Sequence, residues 1–262
     1  MRAKYYMAAA LLAVLSSPVL AEGYSSPWIF SANFGTEVQT SGNILGAANS
    51  SSLNMNTINS NLTGQGIMHL KGRKFSDMYY PSMKASVEVR YALSDLSEIY
   101  GSIGYLKAQS RYMRDLGCLE QGANTCALQL QGHLKDLTQI SVEAGYRQWF
   151  GTGLLSEAVR PYWAVHGGLV QTGAIHGAFY AGTNGLGHWK LYDKGYSATI
   201  GADLGASYTI SDTAELAAEV GVRYTGNLKK QSGDLNALGL AAALDDSHAI
   251  SIPVNLRFHT TF

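Results

Sequence analysis

Charge is scarce in this 262-residue chain. Asp, Glu, Lys and Arg together make up 15%, against about 25% in soluble domains. The 19 basic and 19 acidic side chains cancel, so no broad field draws the chain to nucleic acid. Proline is rare (5 residues), and the 2 cysteines, Cys118 and Cys126, have no histidines around them at zinc-ligand spacing, which argues against a metal centre. Beyond residue 21 no apolar run approaches the roughly 20 residues of a membrane helix. A helical membrane protein is thereby excluded. G-x-S-x-G, H-E-x-x-H and phosphate-loop signatures are also missing, so nothing marks an enzyme, and no cofactor is expected.

The first residues supply context. Arg2 and Lys4 precede an uncharged stretch at 7–15, and Pro18-Val19-Leu20-Ala21 follows with small residues at the right offsets. This is the pattern of a secretory signal peptide, residues 1–21, cleaved after Ala21. The exported remainder, 22–262, suits one domain. In an exported chain the close pair Cys118 and Cys126 is expected to close a small loop as a disulfide; the alternative is two free thiols.

What the chain has in abundance is glycine (29), tyrosine (16) and alternation. In "GYSATIGADLGASYTI" (195–210) every even position from Tyr196 to Ile210 is apolar, while the odd positions 197–209 are Ser, Thr, Gly or Asp. That is a strand of period two with chemically opposite faces. Residues 83–93 and 250–262 repeat it clearly, and 28–37, 98–108, 138–150, 161–171 and 215–225 do so more weakly, giving eight strands. The connectors alternate in length: short near 94–97, 151–160 and 211–214, long at roughly 38–82, 109–137, 172–194 and 226–249. A soluble sandwich has no reason for that alternation, whereas a membrane barrel puts turns at one end and surface loops at the other. The 45-residue first connector leaves room for another hairpin, so ten strands remain an alternative. "YALSDLSEIYGSIGY" and "YTISDTAELAAEVGV" share Tyr, Ser-Asp, Glu and Gly at matching offsets, as a hairpin unit used twice would.

Which face is wet follows from what lines it. The polar faces carry small residues (Gly104, Gly201, Gly205, Ser207, Gly221), suited to a cramped interior. The apolar faces end in aromatics. Tyr196 and Tyr208 lie 12 residues apart, about 40 Å along a strand and about 30 Å once tilted, which is the separation of two interfacial girdles. The apolar row therefore faces lipid. The last segment, "NLRFHTTF", ends its outward face on Phe258 and Phe262, and resembles the carboxy-terminal insertion signal that the barrel-assembly machinery of bacterial outer membranes reads.

On these residues the mature chain resembles the small eight-stranded outer-membrane barrels of the OmpA and OmpX type. The resemblance implies an all-β transmembrane antiparallel up-and-down barrel, located in the bacterial outer membrane among its lipids and lipopolysaccharide. One departure is that the chain stops at Phe262, so the periplasmic peptidoglycan-binding domain of the OmpA family is not carried over.

Parity collects Lys84, Glu88, Arg90, Glu143, Arg147, Asp203, Glu219, Arg223 and Arg257 inside. Opposite charges buried together must pair, so these form either a structural salt-bridge core or a gate in a narrow, porin-like path. The long connectors hold His69, Ser76, Asp77, His133, His176, His188, Asp245, Asp246 and His248, residue types that serve acyl transfer or proteolysis when geometry assembles them. The Asn/Ser/Gly-rich first connector reads as a mobile hydrated loop or as a contact surface for host, phage or neighbouring cells. In the third, Phe179 and Tyr180 are expected exposed, and Trp189 and Tyr192 either bind a partner or extend the outer girdle. The first expectation is thus a structural or surface-interaction barrel; a narrow channel is the alternative, and a barrel enzyme acting on lipid or peptide comes third.

Overall fold

The computed structural model describes residues 28–121, 124–150, 158–211, 213–231 and 233–260. The signal peptide with Ala21, and Phe262, lie outside the described residues.

Eight strands form a closed barrel: β1 (Trp28–Ser41), β2 (Ser82–Ser94), β3 (Ser97–Ala108), β4 (Leu137–Trp149), β5 (Val159–Thr172), β6 (Gly195–Ser211), β7 (Ala214–Thr225) and β8 (Ala249–Thr260). Each pairs antiparallel with its neighbours in the chain, and β1 closes the ring on β8 from Phe30↔Thr260 to Ser41↔Ile250. Closure leaves no unpaired edge, the condition a sheet must meet to cross hydrocarbon.

Alternation decides the faces. On β6, Tyr196 is 69% and Leu204 61% exposed, while Ser197, Thr199 and Asp203 between them are buried. The same inside-out pattern puts Phe34, Val87, Ile103, Val142, Leu169, Val220 and Val254 on the outer wall. Such a wall is stable only against lipid, since a soluble protein rarely exposes a contiguous apolar surface of this extent. Aromatic residues edge it. Trp28 meets Tyr91 edge-on at 5.0 Å and Tyr146 meets Trp163 at 5.7 Å toward the short turns; Tyr105, Tyr196 and Tyr224 stand toward the other end, as in an interfacial belt.

The long connectors depart from the expectation of loose loops. The first does contain further strands, but none enters the barrel wall, so the count is eight and not ten. Instead 65–70, 112–121, 124–134, 175–181 and 184–192, with the short pieces 48–49 and 53–54, form a separate seven-stranded sheet standing on the barrel. One hydrophobic core fills this cap and draws on all four connectors: Ile44 and Met68 from the first, Leu119 and Leu130 from the second, Phe179 and Leu191 from the third, Leu235 and Leu244 from the fourth. Each such side chain is worth about 1.5–3 kcal/mol when fully buried, which outweighs the solvation that Asn and Ser offer a free loop.

Two further corrections follow from that core. Phe179, expected to be exposed, is 3% exposed and stacks on Trp189 at 4.8 Å. Tyr192 is 1% exposed and donates its hydroxyl to the Ile44 carbonyl at 2.8 Å. Neither Trp189 nor Tyr192 belongs to the girdle, because the hairpin that carries them rises into the cap. Tyr180 is half-buried. Cys118 and Cys126 are disulfide-bonded, with Cα atoms 5.0 Å apart, tying the hairpin of 112–121 and 124–134 near its tip.

Candidate functional site

The barrel interior is a stack of charged groups in two clusters. In the cluster nearer the short turns, Arg147 of β4 donates to Glu88 of β2 at 3.2 Å and to Glu98 of β3, while Arg90 donates to Glu98 at 3.2 Å. Arg257 of β8 reaches Glu219 of β7 at 3.4 Å and Glu88 at 3.7 Å. Two tyrosines complete it: Tyr162 donates to Glu219 at 2.9 Å, and the Arg147 guanidinium lies 4.5 Å from the Tyr100 ring and 5.2 Å from that of Tyr162. In the second cluster Arg223 donates to Glu143 at 2.8 Å and sits 3.7 Å from Glu37. Lys84 approaches Glu143 at 3.6 Å, and His166 lies between Glu143 at 2.7 Å and Asp203 at 3.2 Å.

Local sequence explains how such bulky groups fit. Tyr100 pairs in register with Gly145, and Tyr162 with Gly205. A Cβ built at either glycine would come within 2.4 Å of the tyrosine ring. Each ring therefore lies flat across its neighbouring strand, and only glycine leaves the room.

All nine inward charges named from parity, Lys84, Glu88, Arg90, Glu143, Arg147, Asp203, Glu219, Arg223 and Arg257, line this interior and take part in its ion pairs. Glu37, Glu98, Tyr100, Tyr162, His166 and Glu215 were missed, while His259, on the polar face of the last segment, pairs with Glu215 at 3.0 Å. The same odd–even rule points to every one of them, since each shares a face with inward glycine, serine or charge on its own strand.

The space left is small. Between the clusters lies a cavity of about 30 Å³, lined by Asn33, Lys84, Glu143, His166 and Asn255 among others, room for one or two waters. Toward the short turns the barrel widens into a vestibule of about 440 Å³ bordered by Ile29, Arg90, Glu98, Trp149, Arg160, Glu215 and His259. Toward the cap the inward face changes character. β3 runs Glu98, Tyr100, Ser102 and Gly104 and then turns apolar at Leu106 and Ala108, both buried, and Leu137 and Val170 join them from β4 and β5. The cap core thus reaches into the barrel mouth on this side, at Ala108 and Leu137, while β1, β2, β6, β7 and β8 present the buried polar residues Gln39, Ser82, Ser197, Thr225 and Ser251 at the same end.

The connector residues of catalytic type are dispersed. His69 holds Asn49 and Glu120, each at 2.9 Å; His248 holds Asp246 at 2.5 Å; His133 lies against the Tyr112 ring at 6.2 Å; His176 and His188 pair in register with Lys190 and Ala178. Asp77 accepts from the Lys74 backbone at 3.0 Å, a local helix-start contact beside Ser76, and Asp245 pairs with Lys230. Among the described residues no serine hydroxyl is hydrogen-bonded to any of these histidines, and no group of three or more potential metal ligands occurs. Outside the barrel strands the Tyr79 and Tyr192 hydroxyls are pushed well up from their ordinary pKa by burial in the cap, and a hydrogen bond from Lys71 holds Asp115 below the usual carboxylate range.

No known family matches the chain, and no curated protein sequence does. Among solved structures it is similar to neisserial surface protein A, at 12% identity and a TM-score of 0.42, covering 92% of this chain and 100% of that one. It is also similar to the attachment invasion locus protein Ail of Yersinia pestis (11%, 0.35, 88% and 97%) and to the outer membrane protein AlkL in lipid bilayers (11%, 0.37, 94% and 95%). The barrel assignment stands on the closed strand pairing and not on these likenesses.

Proposed function

We propose that the protein is an integral barrel of the bacterial outer membrane whose function lies in the folded cap it holds at the cell surface, as a structural and interaction protein. The observation that carries this reading is the single hydrophobic core shared by all four long connectors. A wall alone needs only short turns; more than a hundred residues of ordered connector make a presenting surface. The partner class is a host, phage or neighbouring-cell ligand, with delivery to the membrane through the β8 strand and the assembly machinery. A direct test compares cells carrying the full chain with cells whose 112–134 hairpin is replaced by a tight turn, barrel closure being checked by heat-dependent gel mobility. Attachment to cells and matrix should fall with the hairpin removed. Unchanged attachment would sink the proposal.

A narrow channel is the second reading, favoured by the chain of charged side chains that leads inward from the vestibule. The filled lumen opposes it, since the space between the two charge clusters is only about 30 Å³, room for one or two waters. Planar-bilayer recordings of the purified protein are expected to be silent; well-resolved steps would restore the channel reading.

A further inference from the structure

Toward the cap, the outward side chains of β3 read Ile99, Gly101, Ile103, Tyr105, Lys107. The column passes from hydrocarbon-facing residues through an aromatic to a cation. Lys107 stands two residues beyond Tyr105, about 7 Å along the strand, the step from an interfacial aromatic to headgroup level. Beside it in register is Met83 of β2, which is 76% exposed and offers acyl-chain contact immediately below.

Further cations gather at this point. Arg111 holds its guanidinium over the exposed Tyr80 ring at 4.4 Å, and Lys135 is exposed where the same hairpin returns to the barrel. Asp136 neutralises Lys107 at 3.1 Å. Among the described residues Arg111 and Lys135 have no carboxylate within ion-pair distance. Backbone ties fix the elements together: Tyr80 N donates to the Gln109 carbonyl at 2.9 Å and Arg111 N to that of Met78 at 2.7 Å, while the Tyr79 hydroxyl donates to the Lys135 carbonyl at 3.1 Å. At the matching height β1 and β8 present Val38, Thr40, Ile250 and Ile252, whereas an exposed Lys194 stands just ahead of β6, two residues beyond Tyr196.

We propose that this rim, centred on Arg111 and Lys135 with Lys107 beside them, binds the phosphate groups of a glycolipid of the lipid A type in the cap-side leaflet. Its acyl chains lie on Met83, Ile103 and Tyr105. The inference rests on the outer-membrane reading above. Charge complementarity and continuity with the lipid-facing wall select a lipid-borne phosphate over a dissolved one.

The test uses the full chain in phosphatidylcholine nanodiscs, with native mass spectrometry of lipid retained on the protein. Diphosphorylated lipid A should be retained in preference to phosphate-free lipid A. The variant Lys107→Gln/Arg111→Gln/Lys135→Gln should lose about 30-fold in retention, one factor of about five for each uncompensated cation at a membrane surface. Lys190→Gln/Lys230→Gln, which removes cap cations already paired with Asp193 and Asp245, should lose none. Arg111→Gln alone, expected to lose about fivefold, serves if the triple variant fails to fold. Equal retention of lipid A with and without phosphates, or by the wild type and the Arg111→Gln variant, overturns the proposal. So does displacement by millimolar inorganic phosphate, which would make the rim a site for the free anion. If the wild type instead fails to keep a heat-modifiable barrel in the nanodisc, the outer-membrane reading has failed and not the rim.

Discussion

Replacing Arg147 by methionine tests whether the lumen is a structural ion-pair core. Arg147 is 1% exposed. It is the nearest cation to Glu88, at 3.2 Å, donates to Glu98, and lies against two tyrosine rings. Removing one member of a buried pair costs about 3–5 kcal/mol, because the partner charge is left without compensation, and each lost cation–π contact adds about 0.5–2 kcal/mol. Here Glu98 keeps Arg90 at 3.2 Å, and Glu88 keeps Arg90 and Arg257 at 3.7 Å. The carboxylates are weakened in their pairing and not stripped of it, so the ion-pair loss lies at the low end, about 3 kcal/mol, and the two ring contacts bring the total to about 4 kcal/mol, or roughly 900-fold in the folding equilibrium. Arg147→Met/Glu98→Gln removes the surplus negative charge and should recover at least half of that loss. Equilibrium urea unfolding in short-chain lipid vesicles, read by tryptophan fluorescence and by gel mobility, measures both variants. A single-variant loss below about 1 kcal/mol, the level of an exposed pair, refutes the reasoning, as does a double variant no more stable than the single.

Gly205→Val places a side chain where a Cβ already comes within 2.4 Å of the Tyr162 ring; overpacking should cost about 1–3 kcal/mol in the same assay, with part of it relieved when Tyr162→Ala is added. Cys118→Ser/Cys126→Ser opens an eight-residue separation, worth about 2–3 kcal/mol by the chain-entropy relation; the loss should appear as faster proteolysis within 112–134, with barrel mobility on gels unchanged. Burial raises the Tyr79 and Tyr192 hydroxyls, so the folded cap holds these protons more tightly than the unfolded chain does. Its stability is full below about pH 10, the ordinary tyrosine value, and falls as pH climbs above it. Cap proteolysis should accelerate above that pH in the wild type and stay flat in Tyr79→Phe/Tyr192→Phe, which begins about 2 kcal/mol weaker from two lost hydrogen bonds.

The barrel was legible because hydrocarbon imposes a strict rule on every outward position. Where a strand has lipid on one side and a crowded lumen on the other, period two survives almost unbroken, as along Tyr196, Ala198, Ile200, Ala202 and Leu204. The lumen charges followed from the same parity. Glu37, Glu98 and His166 obey it too, each on the inward face of a segment with an apolar outward row, 28–37, 98–108 and 161–171. The cap was illegible for a physical reason. Register shifts interrupt its strands, as between Leu130 and Gly132 and between Phe179 and Tyr180, and its largest buried side chains are spread over four connectors, so no single segment shows a clean period. Phe179 and Tyr180 stand together between Gly177, Ala178 and Ala181, so two adjacent aromatics among small residues give no clue to which of them points inward. Met55 and Phe75 sit at the starts of one-turn helices, and such helices carry no periodicity.

The two storeys of the molecule have cores of opposite chemistry, and the strand that joins them shows why. Inside the apolar wall of the barrel, mutual pairing satisfies the charges, and the surrounding hydrocarbon accepts the nonpolar outer face. Above the wall the surroundings are water, so the cap reverses the arrangement, with leucine, methionine and aromatic side chains inside and polar groups outside. On β3 both reversals fall within a few residues. The inward face turns from Gly104 to Leu106 and Ala108, and the outward face from Ile103 through Tyr105 to Lys107. An inner boundary set by side-chain packing and an outer boundary set by solvent have no reason to coincide unless both mark the level at which lipid ends. That coincidence on β3 sets the cap above the apolar wall, and under the function proposed above it is the four connectors, not the lumen, that meet a partner.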